Sequence, residues 1–286
     1  MTPTQSQPSR RTYRGSCHCG AFIYEIDLPE LRTVVECDCS LCSRTGNLYV
    51  PTSEEANFRV VHGNEEENLK SYTFGPGSKI HKFCPICATS MLSRMPNGPP
   101  HMRLVLNARA LQDIDVDLLE RKYIFNSKVG APYQPPEHKG DIPRDLESSR
   151  LYTGSCHCGA VTVALSSKPP NELDQEEVVV CNCRICQRNA YVWLFPKPEN
   201  TVLSGSEDDI GSYTFADGLA SKTFCRTCGV GTRIQPLGDK VLAPSEDSCR
   251  AYWRGGAAHP VNARVLHGVD VGKLKTMVQG AAVTPV

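Results

Sequence analysis

Gly15-Ser16-Cys17-His18-Cys19-Gly20-Ala21 is the stretch that decides how this chain folds, because it occurs twice. Its second occurrence is Gly154-Ser155-Cys156-His157-Cys158-Gly159-Ala160. Each occurrence opens the same series of clusters: Cys-x-Cys, then Cys-x-Cys-x-x-Cys, then Cys-x-x-Cys. Of the 15 cysteines, all but Cys249 belong to these two series. The first series is Cys17, Cys19, Cys37, Cys39, Cys42, Cys84 and Cys87, and the second is Cys156, Cys158, Cys181, Cys183, Cys186, Cys225 and Cys228.

The repeat extends beyond the cysteines. Ser71-Tyr72-Thr73-Phe74 returns as Ser212-Tyr213-Thr214-Phe215, and Asn107-Ala108-Arg109 returns as Asn262-Ala263-Arg264. Before the second Asn-Ala-Arg the chain is longer by about 14 residues, which is typical of an insertion in a surface loop. Cys249 and Trp253 lie in this insertion. The sequence therefore predicts two copies of one domain.

A proline-rich stretch separates the copies. Residues 131–149 hold four prolines among charged residues, which favours an exposed, semi-extended linker. We therefore predict domains at 12–130 and 150–280, in a chain whose 286 residues suffice for two domains of ordinary size.

The residues between the clusters favour β-strands. Runs rich in β-branched and aromatic residues occupy 21–26, 104–106, 161–165, 178–180 and 190–195. Proline and glycine recur too often for long helices, and one helical turn is predicted at 118–121. The predicted fold class is all-β, or β-dominated, in two tandem domains.

Composition indicates the surroundings in which the cysteines act. The N-terminal residues lack the apolar segment of a secretory signal, and no run approaches the ~18 apolar residues of a membrane span. The formal net charge is zero, which disfavours nucleic acid and membrane surfaces as partners. We therefore expect a cytoplasmic location, with the nucleus left open. In a reducing compartment, dense and regularly spaced cysteines are more often metal ligands than disulfides.

Seven thiolates per copy divide naturally into four and three. The Cys-x-Cys and the distant Cys-x-x-Cys supply the four ligands of a closed structural zinc site, whereas Cys-x-Cys-x-x-Cys supplies three and leaves one position open. One binuclear cluster per domain with bridging thiolates is the alternative. The predicted closed sites are Cys17, Cys19, Cys84, Cys87 and Cys156, Cys158, Cys225, Cys228; the predicted open sites are Cys37, Cys39, Cys42 and Cys181, Cys183, Cys186.

Three histidines lie close to these cysteines in sequence. His18 and His157 separate two ligands of a Cys-x-Cys, so on an extended segment they point away from the face that the cysteines share. They are expected at the surface or next to the ligands rather than as ligands. His81 is a candidate fourth ligand for the first triplet, but the second copy has no histidine near the equivalent place.

The motifs resemble those of the glutathione-dependent formaldehyde-activating enzyme family, which includes the centromere protein V-like domains. The family pattern is G-x-C-x-C-G, then C-x-C-x-x-C, then F-C-x-x-C-G, and both copies match it in order over nearly the whole chain. Several features depart from it, among them Asp38 and Asn182, which occupy a position that is often histidine. Ala88 stands where the family usually has glycine, Gly46 of the first copy becomes Ala190 of the second, and Lys222 replaces a usual histidine.

The resemblance implies a fold related to the Mss4-like β-tent, with two zinc ions per domain and four per chain. It implies that the four-thiolate sites are structural and that the triplets form the active-site zinc. It also implies carbon–sulfur bond chemistry, either the addition of glutathione to formaldehyde or the cleavage of a related adduct.

On this hypothesis the six triplet cysteines carry the catalysis, on a small-molecule thiol substrate such as glutathione or its adduct. Arg44 and Arg188, each two residues after a triplet, are candidates for binding the glutathione carboxylates. A non-catalytic zinc scaffold or interaction module is the alternative from another class. A zinc module that binds nucleic acid is disfavoured by the neutral charge.

Overall fold

A computed structural model describes residues 10–52, 57–144, 149–173, 177–216, 218, 220–237 and 258–279. Cys249 and Trp253 of the predicted insertion lie outside these residues. The longest α-helix that the structure describes has six residues, and none could cross a membrane.

The first copy forms two sheets. One has three strands in the order β1-β2-β5, and the other has seven in the order β10-β3-β4-β9-β8-β7-β6. All neighbours are antiparallel except β10 and β3, which are parallel. The elements are β1 (Arg10–Ser16), β2 (Ile23–Pro29), β3 (Thr33–Cys37), α1 (Ser40–Thr45), β4 (Leu48–Thr52), β5 (Arg59–His62), α2 (Glu65–Asn68), β6 (Lys70–Tyr72), β7 (Ile80–Phe83), β8 (Ser90–Arg94), β9 (Leu104–Asn107) and β10 (Glu120–Ile124).

The second copy repeats this topology. Its elements are β11 (Arg150–Ser155), β12 (Thr162–Ser167), β13 (Val178–Cys181), α3 (Arg184–Arg188), β14 (Trp193–Leu194), β15 (Thr201–Ser204), β16 (Ile210–Thr214), β17 (Ala220–Cys225), β18 (Gly231–Pro236), β19 (Val261–Asn262) and β20 (Met277–Gln279). The three-stranded order β11-β12-β15 and the seven-stranded order β20-β13-β14-β19-β18-β17-β16 match the first copy strand for strand. The parallel pair also recurs, between β20 and β13. The predicted β-dominated fold in two tandem copies is confirmed, whereas the exact domain limits stay a prediction.

Most of the predicted strands are present, with some differences. The run at 190–195 pairs only over Trp193–Leu194, because it emerges from the turn after α3. The prediction of a helical turn at 118–121 is wrong, because the turn lies slightly earlier in the chain. A 3-10 turn covers Val116–Leu118, and the chain then enters β10, where Arg121 pairs with Val34. The remaining 3-10 turns in the described residues are Pro100–Met102, Ala108–Ala110, Asn126–Lys128, Pro198–Asn200, Ala263–Val265 and Val271–Lys273.

The two copies pack against each other through equivalent residues. Leu41 of α1 is 2% exposed and is buried in the apolar core of the second copy. Arg44 Nε donates to the carbonyl of Ser155 at 3.2 Å, and the equivalent Arg188 Nε donates to the carbonyl of Ser16 at 3.2 Å. Contacts that recur with the copies exchanged are the signature of a two-fold interface. The two copies within this single chain are therefore related by an approximate two-fold axis, as two subunits of a dimer would be.

The pseudo-two-fold axis passes between Gly46 and Ala190, which are equivalent residues. A Cβ added to Gly46 would lie 2.4 Å from the Cβ of Ala190, so only one of the two positions has room for a methyl group. Both residues have a positive φ, of 62° at Gly46 and 49° at Ala190. This contact explains why the two copies differ at this position.

We expect Gly46→Ala to destabilise the protein by about 1–3 kcal/mol, because it forces two methyl groups together and places a side chain at positive φ. Ala190→Gly is the matched control and should change stability by less than about 1 kcal/mol. The double variant Gly46→Ala/Ala190→Gly should regain the part of the stability that Gly46→Ala loses through the collision of the two methyl groups. Urea unfolding of the four proteins measures this coupling, and a loss in Gly46→Ala that the second change leaves intact would contradict the interface.

Candidate metal centres

Each copy gathers its Cys-x-Cys and Cys-x-x-Cys into one cluster. In the first copy, the Sγ atoms of Cys17 and Cys19 are 3.5 Å apart, and those of Cys19 and Cys84 are also 3.5 Å apart. In the second copy, the corresponding distances are 3.6 Å and 3.5 Å. All four sulfurs of each cluster lie within 4.8 Å of one another. The predicted groupings of Cys17, Cys19, Cys84, Cys87 and of Cys156, Cys158, Cys225, Cys228 are therefore present.

These donor sets fit zinc. A tetrahedral ion with Zn–S distances of ~2.3 Å separates its sulfurs by ~3.8 Å, close to the separations observed, whereas a disulfide needs ~2.05 Å. Every described cysteine is free of a disulfide. Hydrogen bonds from Cys17, Cys19 and Cys84 lower the pKa of the Cys87 thiol, and those from Cys156, Cys225 and Cys228 lower the pKa of Cys158. Each cluster therefore favours a negative charge that a cation would balance.

Tight turns aim these sulfurs inward. The Cys-x-Cys turn closes with Cys17 N donating to the carbonyl of Phe22 at 3.1 Å, and Phe22 N lies 3.3 Å from Cys17 Sγ. The Cys-x-x-Cys turn ends at Ala88, which has φ of 59°. Its counterpart Gly229 has φ of 73°, in the left-handed region that favours glycine. Ala88 therefore adopts the same turn as the family glycine, at a cost of about 1–2 kcal/mol in local conformation.

Both triplets sit where a strand gives way to a short helix. In the first copy, Cys37 ends β3, Cys39 is the N-cap of α1, and Cys42 lies almost one turn later on the same face. The sulfurs of Cys39 and Cys42 are 3.2 Å apart. The second copy repeats this arrangement at the start of α3. In each triplet the three sulfurs lie within 4.8 Å of one another, and neither triplet contains a fourth His, Cys, Asp or Glu among the described residues.

Hydrogen-bond donors surround the first triplet. Cys39 N and Asn126 Nδ2 each lie 3.5 Å from Cys37 Sγ. The amide of Asn47 donates to the Tyr49 oxygen at 3.2 Å, which leaves the Tyr49 hydroxyl to donate to Cys42 Sγ at 3.3 Å. Hydrogen bonds from Cys39 and Cys42 lower the pKa of the Cys37 thiol. The donors around the triplet therefore favour a negative charge on Cys37.

A lysine stands near each triplet, but it comes from a different sequence position in each copy. Lys79 Nζ lies 3.9 Å from the centroid of the Tyr49 ring, and Lys222 Nζ lies 4.4 Å from that of Trp193. Trp193 is the counterpart of Tyr49, and its indole N–H donates to Cys186 Sγ at 3.4 Å. Lys222, which replaces a usual family histidine, therefore supplies in the second copy the positive charge that Lys79 supplies in the first.

The two triplets differ in access. A cavity of about 1600 Å³ opens onto the first triplet, and its lining includes Cys37, Cys39 and Cys42. None of the second triplet's cysteines lines this cavity. The second copy and the linker provide part of its wall, through residues such as Tyr133, His157 and His267.

His157 connects the second copy to the first triplet. Its Nε2 lies 2.9 Å from the hydroxyl of Ser40, which sits between two triplet cysteines, and its Nδ1 lies 2.6 Å from the hydroxyl of Tyr72. Burial lowers its pKa to about 4, so the ring is neutral at pH 7. His18 makes the reciprocal contact, with its Nδ1 2.9 Å from the hydroxyl of Tyr213. Both histidines point away from the sulfurs, as expected, but into the other copy rather than into solvent.

Arg44 and Arg188 lie at this interface. Arg44 is 8% exposed, and besides its bond to Ser155 it donates from Nη1 to the carbonyl of Ser40 at 2.9 Å and stacks on Tyr133. Arg44 lines the cavity, whereas Arg188 does not. Both arginines thus hold the copies together, and their role in binding carboxylates stays a prediction.

His81 lies in a different place from the one predicted, and one set of contacts between the copies was not predicted. His81 is not grouped with the first triplet; it is buried, its Nδ1 is 3.2 Å from Ser93 Oγ, and its ring stacks on Phe74. The hydrogen bonds that cross between the copies, His18 with Tyr213 and His157 with Tyr72, were not predicted from the sequence. The repetition of Tyr72 as Tyr213, and of His18 as His157, was their only sequence signal.

Comparison with known proteins agrees with this architecture. The sequence profile described as "Glutathione-dependent formaldehyde-activating enzyme" matches residues 12–125 and 151–242, which is well over half of the chain. A crystal structure of a Rhodobacter sphaeroides protein shares 30% identity and aligns over 39% of this chain and 99% of its own, with a TM-score of 0.33.

A protein of Halomonas elongata, provisionally named a glutathione-dependent formaldehyde-activating enzyme, is 32% identical over 92 residues. The match covers 30% of this chain and 57% of that relative, so it spans little more than half of the relative's length. The profile match over both copies decides the assignment: this chain belongs to the glutathione-dependent formaldehyde-activating enzyme family, as a tandem duplicate.

Proposed function

We propose that this protein is a zinc-dependent carbon–sulfur lyase or synthase that acts on adducts of glutathione or a similar thiol. The observation that carries the proposal is the contrast between two kinds of sulfur cluster. The four-thiolate clusters each bring four ligands together, whereas the first triplet has three ligands and lines a large cavity. This is the difference between structural and catalytic zinc sites.

A zinc ion held by Cys37, Cys39 and Cys42 would offer a fourth position to the substrate sulfur and would stabilise that sulfur as a thiolate. In the synthetic direction the thiol loses its proton, its sulfur forms a bond to the aldehyde carbon as the C=O π bond opens, and the carbonyl oxygen takes up a proton in place of the one released. In the reverse direction the hydroxyl of the adduct loses its proton, the C=O bond forms, and the C–S bond breaks. Atoms and electrons balance without an oxidant or a reductant.

The residues around the triplet serve this chemistry by orientation and charge. Donors on Cys37 and Cys42 withdraw charge from the ligand sulfurs, and the Lys79 ammonium offsets the negative charge of three thiolates nearby. His157, Tyr72 and Ser40 form a hydrogen-bonded wall that fixes the start of α1. The second copy thereby completes the site of the first.

Two observations favour the non-catalytic alternative for the second copy. Its triplet does not line the cavity, and Lys222, only 9% exposed, covers the aromatic ring that bonds to Cys186. We propose that the second copy acts as a scaffold and that the first copy carries the activity.

Metal analysis of protein purified without chelators should give close to four zinc ions per chain. Cys84→Ser should lose zinc and destabilise the first copy severely, because the ion closes a long loop and its binding contributes directly to folding. Cys39→Ser should lose only the ion of the first triplet and keep a cooperative unfolding transition. If the folding defects fall the other way round, the division into structural and open sites is wrong.

Activity should depend on the first triplet. We expect Cys39→Ser to abolish the formation and cleavage of the glutathione–formaldehyde adduct, because it removes a ligand from the open site. The matched variant Cys183→Ser alters the equivalent residue of the second copy and should keep most of the rate. An NMR assay with ¹³C-formaldehyde follows both directions, and equal losses in the two variants would contradict the assignment to the first copy.

A further inference from the structure

The cavity at the first triplet is larger than a formaldehyde adduct requires. Pockets for small molecules usually measure about 300–1,000 Å³, whereas this one measures about 1600 Å³. It extends from Cys39 along α1 to the end of β10 and the start of the linker. A substrate sulfur placed at the triplet would therefore direct its substituents toward this outer part.

Apolar side chains form the outer part of the cavity. Tyr123 is 62% exposed, Phe125 is 68% exposed and Val129 is 73% exposed, and all three line the same cavity. Single exposed apolar residues are ordinary on protein surfaces, but several that line one cavity point to a binding surface. We call these three residues the apolar mouth.

Arg121 and Arg264, which line the cavity, are already engaged by other groups. Arg121 lines the cavity, but its Nη1 is 3.1 Å from Glu36 and its Nη2 is 3.0 Å from Asp117. Arg264, on the far wall, donates from Nε to the carbonyl of Ala190 and from Nη1 to that of Ser43. Among the described residues that line the cavity, a group lying against the apolar mouth therefore meets hydrocarbon and aromatic rings, and the arginines nearby are already engaged, which suits an uncharged occupant.

The described residues of the second copy do not form an equivalent surface. In β20, Val278 pairs with Val180 as Tyr123 pairs with Glu36, so Val278 is the counterpart of Tyr123. Continuing the same register, Phe125 and Asn126 correspond to Gly280 and Ala281 in the sequence. Val278 is 72% exposed but does not line the cavity. Among the described residues, the apolar mouth therefore occurs in the first copy.

We propose that the first copy acts on thiol adducts of bulky, uncharged, aromatic aldehydes, with the aromatic group lying against Tyr123, Phe125 and Val129. The reaction is the one proposed above: the adduct R–CH(OH)–SR′ gives the aldehyde R–CHO and the thiol R′–SH as the hydroxyl proton leaves and the C–S bond breaks. This proposal rests on the proposed function, since it takes the first triplet as the place of the substrate sulfur.

Binding of two stable thioethers tests the proposal without turnover. S-(2-naphthylmethyl)glutathione carries the bulky group and S-methylglutathione does not, and calorimetry on the zinc-loaded full chain measures both. We expect the naphthyl compound to bind at least about tenfold more tightly, as burial of an aromatic ring against other rings allows. Phe125→Ala and Tyr123→Ala should each remove most of that difference and leave S-methylglutathione binding unchanged.

Val278→Ala is the matched control, because it shortens the equivalent exposed side chain of the second copy, and it should bind both compounds as the unaltered protein does. Equal affinity of the unaltered protein for the two thioethers, or naphthyl binding that survives both mouth substitutions, would overturn the proposal. Binding that follows the expectation in a protein that neither forms nor cleaves adducts would support the substrate class and overturn the proposed reaction instead.

Discussion

Four sulfur atoms must meet across 65 residues of chain before the first half of this protein can close, and across 67 residues before the second can. Apolar packing alone gives no reason for four thiols to approach within 4.8 Å of one another while remaining free of disulfides. A bound metal ion would provide that reason, because its bonds to the four sulfurs would offset the mutual repulsion of the thiolates. The turns that present these sulfurs fix where β1 ends and β2 begins, and they fix the junction of β7 and β8 as well.

Duplication added a second constraint, namely the pairing of equivalent surfaces across a pseudo-two-fold axis. Near the axis the copies had to differ, since Gly46 leaves room for the methyl group of Ala190. Away from it they exchange arginines and histidines symmetrically. The interface is symmetric, but the two triplet sites are not equivalent. The first triplet lines the large cavity, and the second does not. The second copy then contributes His157 and part of the wall to its neighbour's site.

The cysteine spacing and the alternation of residue types were sufficient to predict the β-dominated class, the tandem repeat and the sorting of sulfurs into fours and threes. These follow from local chain geometry, since ligands two or three residues apart in a turn can reach one ion. The contacts between copies could not be predicted in this way. Arg44 was expected to bind a ligand, but its partner Ser155 is distant in sequence, and only the packing of two folded halves brings them together. For the same reason the cavity was not foreseen, as it is walled by both copies and the linker.

The most direct test of this account is a crystal structure with anomalous diffraction recorded on both sides of the zinc edge. The account predicts an ion with four protein sulfur ligands at each Cys-x-Cys and Cys-x-x-Cys cluster. At the first triplet it predicts an ion with three protein sulfurs and a fourth ligand that does not come from the protein. A disulfide within that triplet, or a side chain of the chain itself in the fourth position, would contradict it.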